Sequence, residues 1–135
     1  MYLSSIINEK EERVFVAKKV LVVQTDQAQL AALSQLLQKQ GYEIQTATDG
    51  EEAWSLFQQQ PPGAVVSALR MPNLDGIGLL KRIRAHITDT NKTPVILLST
   101  PGYSDYEADA KTHGATAYLY LPLQDVGELA RWIGV

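Results

Sequence analysis

From Val20 onward, short apolar runs alternate with amphipathic stretches. Val20-Leu21-Val22-Val23 is continuously apolar and rich in β-branched residues, the pattern of a strand buried on both faces. Asp26 follows as a helix cap. Leu30, Leu33, Leu36 and Leu37 then recur at three-to-four spacing on one helical face until Gly41 stops the helix. Tyr42 to Ala47 alternates and predicts a second strand. Thr48-Asp49-Gly50 opens a helix carrying Ala53, Leu56 and Phe57, which Pro61-Pro62-Gly63 ends. Ala64 to Ser67 predicts a third strand, Ala68 to Asp75 a loop, and Gly76 onward a helix with Ile77, Leu80 and Ile83 on one face. A polar connection runs from Ile87 to Thr93, and Pro94 to Ser99 predicts the fourth strand. Ser104 to Glu107 fits a capping box, so a helix is expected to start there and to end at Gly114. Ala117 to Leu121 predicts the fifth strand and Gln124 to Ile133 a short last helix.

Five strands alternating with five helices define an α/β chain. Right-handed crossovers turn it into a doubly wound parallel sheet with helices on both faces. Ligands of such sheets bind beyond the carboxyl ends of the strands, where strand order reverses. The residues expected there are Gln24, Thr25 and Asp26, then Ala68, Leu69 and Arg70, then Ser99 and Thr100, then Leu121.

Composition narrows the chemistry. The 135 residues fit one core, and a net charge of -3 offers no basic stripe for nucleic acid. Cysteine is absent, which excludes disulfides and thiolate sites, and two histidines are too few for a His-rich metal site. No apolar run approaches the roughly 20 residues of a membrane span. Glu9, Glu11 and Glu12 interrupt the order of a signal peptide, so the expected location is the cytoplasm. Residues 1–18 read as an N-terminal extension, either a partly ordered tail or a short amphipathic arm that mediates dimer contacts. Residues 19–135 read as the domain itself. A last helix that stops at Gly134-Val135 looks like the cut end of a longer protein.

Five motifs in order carry a resemblance. Asp49-Gly50-Glu51-Glu52-Ala53 follows the second strand and Met71-Pro72-Asn73-Leu74-Asp75-Gly76 follows the third. Pro94-Val95-Ile96 opens the fourth, His113-Gly114-Ala115 precedes the fifth, and Leu121-Pro122 closes it. In this the chain resembles the receiver domain of bacterial two-component response regulators, over roughly residues 18 to 135. The resemblance implies a flavodoxin-like sheet of strand order 2-1-3-4-5 and a cis Leu121-Pro122 peptide. It also implies a phosphorylation pocket of two acids, an aspartate nucleophile, a hydroxyl residue and a lysine. Those positions fall here on Gln24 and Thr25, Ala68, Ser99 and Leu121.

A methyl group cannot attack phosphorus, and two neutral residues hold a divalent cation weakly. Leu121 matters equally, because a lysine left among lost acids would be an unpaired, partly buried charge. The degenerate pocket is thus expected to be neutral, partly apolar and stable without metal or cofactor, and the chain is not expected to be an enzyme. Ser99 then reads as a strand-end residue bonded to backbone, and Arg70 as a solvated loop residue rather than a lid. Tyr118 stands where the family carries an aromatic that swings inward on activation. It reads as fixed in one rotamer, with core packing the safer reading. His86 and His113 suit helix C-termini, and Trp54 and Trp132 read as packed or half-exposed.

Two functions remain in competition. The leading one is a phosphorylation-independent protein–protein interaction module in two-component or phosphorelay signalling, with Tyr106, Tyr118, Tyr120, Leu123 and Trp132 as its contact face. Its partner would be a signalling protein or an output domain of the same parent chain, or a second copy in a homodimer, with no direct contact to nucleic acid or membrane. The other is a small-ligand sensor using the neutral crevice, although no Ser/Thr/Gly-rich phosphate loop follows the first strand.

Overall fold

The computed structural model describes residues 17–86, 93–125 and 127–134. Five strands form one sheet: β1 (Lys19–Val23), β2 (Glu43–Ala47), β3 (Ala64–Ala68), β4 (Val95–Ser99) and β5 (Ala117–Tyr120). Their spatial order is β2-β1-β3-β4-β5 and every neighbouring pair is parallel. The helices are α1 (Gln27–Lys39), α2 (Gly50–Gln59), α3 (Gly76–Ala85), α4 (Glu107–Thr112) and α5 (Glu128–Ile133). This is the architecture expected from the alternation of patterns.

The continuous apolar strands are explained by two cores, one on each face of the sheet. Leu21, Val23, Val65, Val95 and Leu97 point to one side, where they meet Phe57 of α2 and Leu79, Leu80 and Ile83 of α3. Val20, Val22, Val66, Ile96 and Leu98 point to the other, against Leu30, Leu33 and Leu37 of α1 and Leu129 and Ile133 of α5. Successive side chains of a strand face opposite ways, so only an unbroken apolar run can serve both layers.

The helix starts obey local chemistry. Asp26, Asp49 and Asp75 each accept a hydrogen bond from the backbone N–H three residues on: Gln29 at 3.0 Å, Glu52 at 2.8 Å and Gly78 at 2.8 Å. Gly41 follows α1 with φ of 97°, the left-handed conformation of a helix stop. The Leu121-Pro122 peptide is cis, as the motif implied.

Two expected helix starts are corrected. Pro101–Tyr106 is already coiled as a 3-10 helix before α4 begins at Glu107, with Tyr103 non-helical inside it. Ser104 therefore lies within a turn rather than at an extended cap position, and caps nothing. At the other end, the Gln124 N–H donates to Glu128 Oε1 and the Gly127 N–H to Asp125 Oδ1. These bonds form a turn ahead of the helix, and α5 starts only at Glu128.

Two long-range bonds tie the residues just before β1 and β2 to the end of α5. Lys18 Nζ donates to Ile133 O at 2.8 Å, and the Tyr42 hydroxyl donates to Gly134 O at 2.8 Å. Of the 1–18 extension read as tail or arm, residues 1–16 lie outside the described residues, as does most of the polar connection before β4.

Candidate functional site

The strand ends deliver their residues to one place through ladder bonds that run a residue past each strand. Gln24 N donates to Ala47 O at 3.1 Å, Leu69 N to Leu98 O at 2.9 Å and Leu121 N to Ser99 O at 2.7 Å. The result is a cleft of about 240 Å³ lined by Gln24, Thr25, Asp26, Gln29, Ala68, Leu69, Arg70, Leu98, Ser99, Thr100, Tyr103 and Leu121. All of the strand-end positions singled out from sequence line it. Gln29, Leu98 and Tyr103 were not among them: Gln29 reaches the cleft from the first turn of α1, Leu98 from within β4 and Tyr103 from an unpredicted 3-10 turn.

Several polar groups in the cleft are already engaged. Thr25 Oγ1 donates to Thr48 O at 3.2 Å, and Asp26 Oδ1 is committed to the α1 cap. Ser99 is buried, and its hydroxyl donates to Thr100 O at 3.3 Å, the backbone bond expected of it. Gln24 is 3% exposed and its Nε2 has no hydrogen-bond partner in the protein. A buried amide donor left unspent is costly, at about 1–3 kcal/mol.

Arg70 does more than the solvated loop residue expected. Its guanidinium carbon lies 5.1 Å from the centroid of the Tyr103 ring, a cation–π contact. Two lining residues thus join across the cleft's rim. Beneath them Tyr118 is 5% exposed, and its hydroxyl donates to Tyr103 O at 2.7 Å while lying 3.1 Å from Ser99 Oγ. Burial holds the Tyr118 phenol above its ordinary pKa, with Glu107 adding to the effect. The side chain points inward. It belongs to the interior, and this corrects its placement on the outer face.

The rest of that face is arranged as follows. Tyr120 donates to Glu107 Oε1 at 2.6 Å, which pushes its phenol up to about 12, chiefly through that bond. The same bond, with Lys111 at 3.0 Å, holds the Glu107 carboxyl below its ordinary value. Leu123 is half-buried against the α1/α5 core. Tyr106 and Trp132 stand out at 45% and 44% exposure, the exposed large hydrophobics among the described residues. His86 and His113 occupy the caps at the ends of α3 and α4, and Trp54 stacks on Phe57 with ring centroids 5.8 Å apart.

A divalent cation in this cleft would need hard oxygen donors. Gln24 and Thr25 bring no charge, and Asp26 has one oxygen tied to a helix cap, so the residues present do not fit such an ion. Among the described residues no group of three or more acidic or histidine side chains is placed to hold a metal. Nor, among them, is any helix long and apolar enough to cross a membrane.

Comparison with known proteins agrees with this architecture. The response regulator receiver domain family matches residues 20–131. The transcriptional regulatory protein PrrA of Mycobacterium tuberculosis is 36% identical over 104 residues, 77% of this chain and 43% of that protein. The regulatory protein AtoC of Escherichia coli is 34% identical over 111 residues, covering 82% of this chain and 23% of its own length. The chain therefore spans less than half the length of these relatives. Among solved structures, the chemotaxis response regulator CheY4 of Vibrio cholerae superposes with a TM-score of 0.79 at 27% identity, over 88% of this chain and all of that one. A receiver domain from Clostridium thermocellum does so with a TM-score of 0.78 at 28% identity, over 87% of this chain and 91% of that one. Shared motifs, strand order and cleft position lead to one assignment: the chain belongs to the response regulator receiver domains.

Proposed function

We propose that this receiver domain works without being phosphorylated, as a protein–protein interaction module of two-component or phosphorelay signalling. The single observation that carries this reading is the residue at the end of β3, Ala68, in the cleft where its family keeps a nucleophile. The neighbours point the same way. Gln24 and Thr25 replace charged ligands, and Leu121 replaces a cation that would have no partner among them. The inward Tyr118, held by Tyr103 O and Ser99, supports a single resident state rather than a switch.

Such a module recognises its partner through its outer surface, where Tyr106, Tyr120, Leu123 and Trp132 supply aromatic and apolar groups. The partner would be another signalling protein, an output domain of the same parent chain, or a second copy, and cytoplasmic residence follows from the same reading. The test is exposure to acetyl phosphate and magnesium, followed by intact-mass spectrometry. The unmodified mass is expected to persist, and a stable phosphoryl adduct on the folded chain would overturn the proposal.

A further inference from the structure

Between β4 and α4 the chain runs through the 3-10 turn Pro101–Tyr106. None of its residues is buried, and Thr100 gives it no side-chain cap. A turn with so little burial owes its conformation to a few contacts. Three of them meet at Tyr103. Its N–H donates to Thr100 O at 2.9 Å, its carbonyl accepts from the Tyr118 hydroxyl at 2.7 Å, and its ring lies 5.1 Å from the Arg70 guanidinium carbon. The first two contacts hold the backbone, and the third holds the side chain. Arg70 comes from the loop after β3, so this contact ties the turn to a separate part of the chain. Among the described residues no carboxylate lies within ion-pair distance of the guanidinium, which leaves it to the ring. From Tyr103 the contacts continue outward. Its ring centroid lies 6.0 Å from that of Tyr106, the exposed aromatic at the last position of the turn. The next residue, Glu107, opens α4 and accepts from Tyr120.

We propose that Arg70 is a positioning residue: it pins the 3-10 turn through the Tyr103 ring and thereby sets Tyr106 on the outer face. Cleft rim and outer face are then coupled through side chains of the domain itself. The force is the attraction of a cation to the negative face of an aromatic ring. It orients the Tyr103 ring, and that ring is the surface on which Tyr106 rests. Without the cation, the Tyr103 side chain keeps only its backbone anchors and the turn opens more often. This role deepens the interaction reading and rests on it for the purpose of Tyr106. Its test reads conformation alone, so a phosphoryl adduct would overturn that reading without touching the pin.

Amide exchange with water is followed by NMR on the full chain, at Tyr103 and at Glu107, whose N–H donates to Ser104 O. Arg70→Ala is expected to speed exchange at both about two- to fivefold, the population change that an exposed cation–π contact supports. The Tyr106 ring resonances should shift with it, while amides of β1 keep their rates. Arg70→Lys retains a cation and is expected to stay near the parent, whereas Arg70→Gln should match the alanine variant. Tyr103→Leu removes the ring, and adding Arg70→Ala to it is expected to change nothing further. Unchanged exchange at Tyr103 and Glu107 in Arg70→Ala would overturn the pin. So would a parent-like Arg70→Gln, which would assign the contact to packing rather than charge. An equal rise in β1 would overturn it as well, because it would mark a general loss of stability.

Discussion

Two regions of this domain, both beyond the carboxyl ends of the strands, have kept different things. One is the packed contact between the loop before α3 and the start of α2. There Asn73 Nδ2 donates to Asp49 Oδ2 at 3.0 Å, and Gly50 lies so close that a Cβ would fall 1.9 Å from Leu74 O. The other is the cleft, where the neutral Gln24, Thr25, Ala68 and Leu121 line the strand ends. The first region brings backbone against backbone, which leaves no room for a larger residue. In the second, any charges introduced into a half-buried site would stand or fall as a group. Residues at one pole of the domain can thus serve packing or chemistry, and the two demands are separable.

The comparison breaks most severely at Gly50. Gly50→Ala is expected to cost about 3 kcal/mol or more in urea denaturation, because the methyl meets backbone that cannot rotate away. A variant within about 0.5 kcal/mol of the parent would show that the loop contact is not fixed.

Next come the cleft residues. Ala68→Asp and Leu121→Lys are each expected to destabilise by about 1–3 kcal/mol, since each places a lone charge among neutral walls. The double variant should cost less than the two singles added, by about 1 kcal/mol in a double-mutant cycle. Strict additivity would mean that the two positions no longer see each other.

A smaller effect is expected at the caps. Asp75→Ala removes the acceptor for the Gly78 N–H at 2.8 Å, and a loss of about 1 kcal/mol should appear as a lower melting temperature.

The smallest effect lies at the outer face. The Glu107 carboxyl titrates below its ordinary value of 4.5 in the folded chain, held down first by the Tyr120 hydroxyl and then by Lys111. A depressed carboxylate stabilises the fold above its unfolded pKa, and that contribution disappears as pH falls through the folded pKa. In Tyr120→Phe the Glu107 midpoint, followed by carbon NMR, should move back up towards 4.5. An unmoved midpoint would assign the shift to Lys111 alone.

Much of this molecule was readable from its sequence, for physical reasons. Val20 to Val23 announces a central strand because both of its faces are buried, and the aspartates at 26, 49 and 75 announce helix starts because each meets an orphan N–H. The strand-end rule assembled the cleft's core list from chain order alone. What escaped depends on competition between local options. Ser104 has a capping-box neighbour at Glu107, yet Pro101 starts a 3-10 turn first. Gln124 opens an apolar-periodic stretch, yet the Asp125 side chain takes the Gly127 N–H and delays the helix. Tyr118 is packed in the core as its safer reading had it, against its place in the contact face, and Arg70 was misjudged because its partner Tyr103 sits in that unforeseen turn.

The bonds from Lys18 to Ile133 and from Tyr42 to Gly134 place the entry and exit of the domain side by side. All five strands run the same way, so this shared doorway lies at the opposite pole from the cleft, about 16 Å of strand away. The domain is therefore wired like a plug with both leads at its base. An insertion or cut made beside Lys18 or Gly134 would therefore leave the strand-end cleft undisturbed.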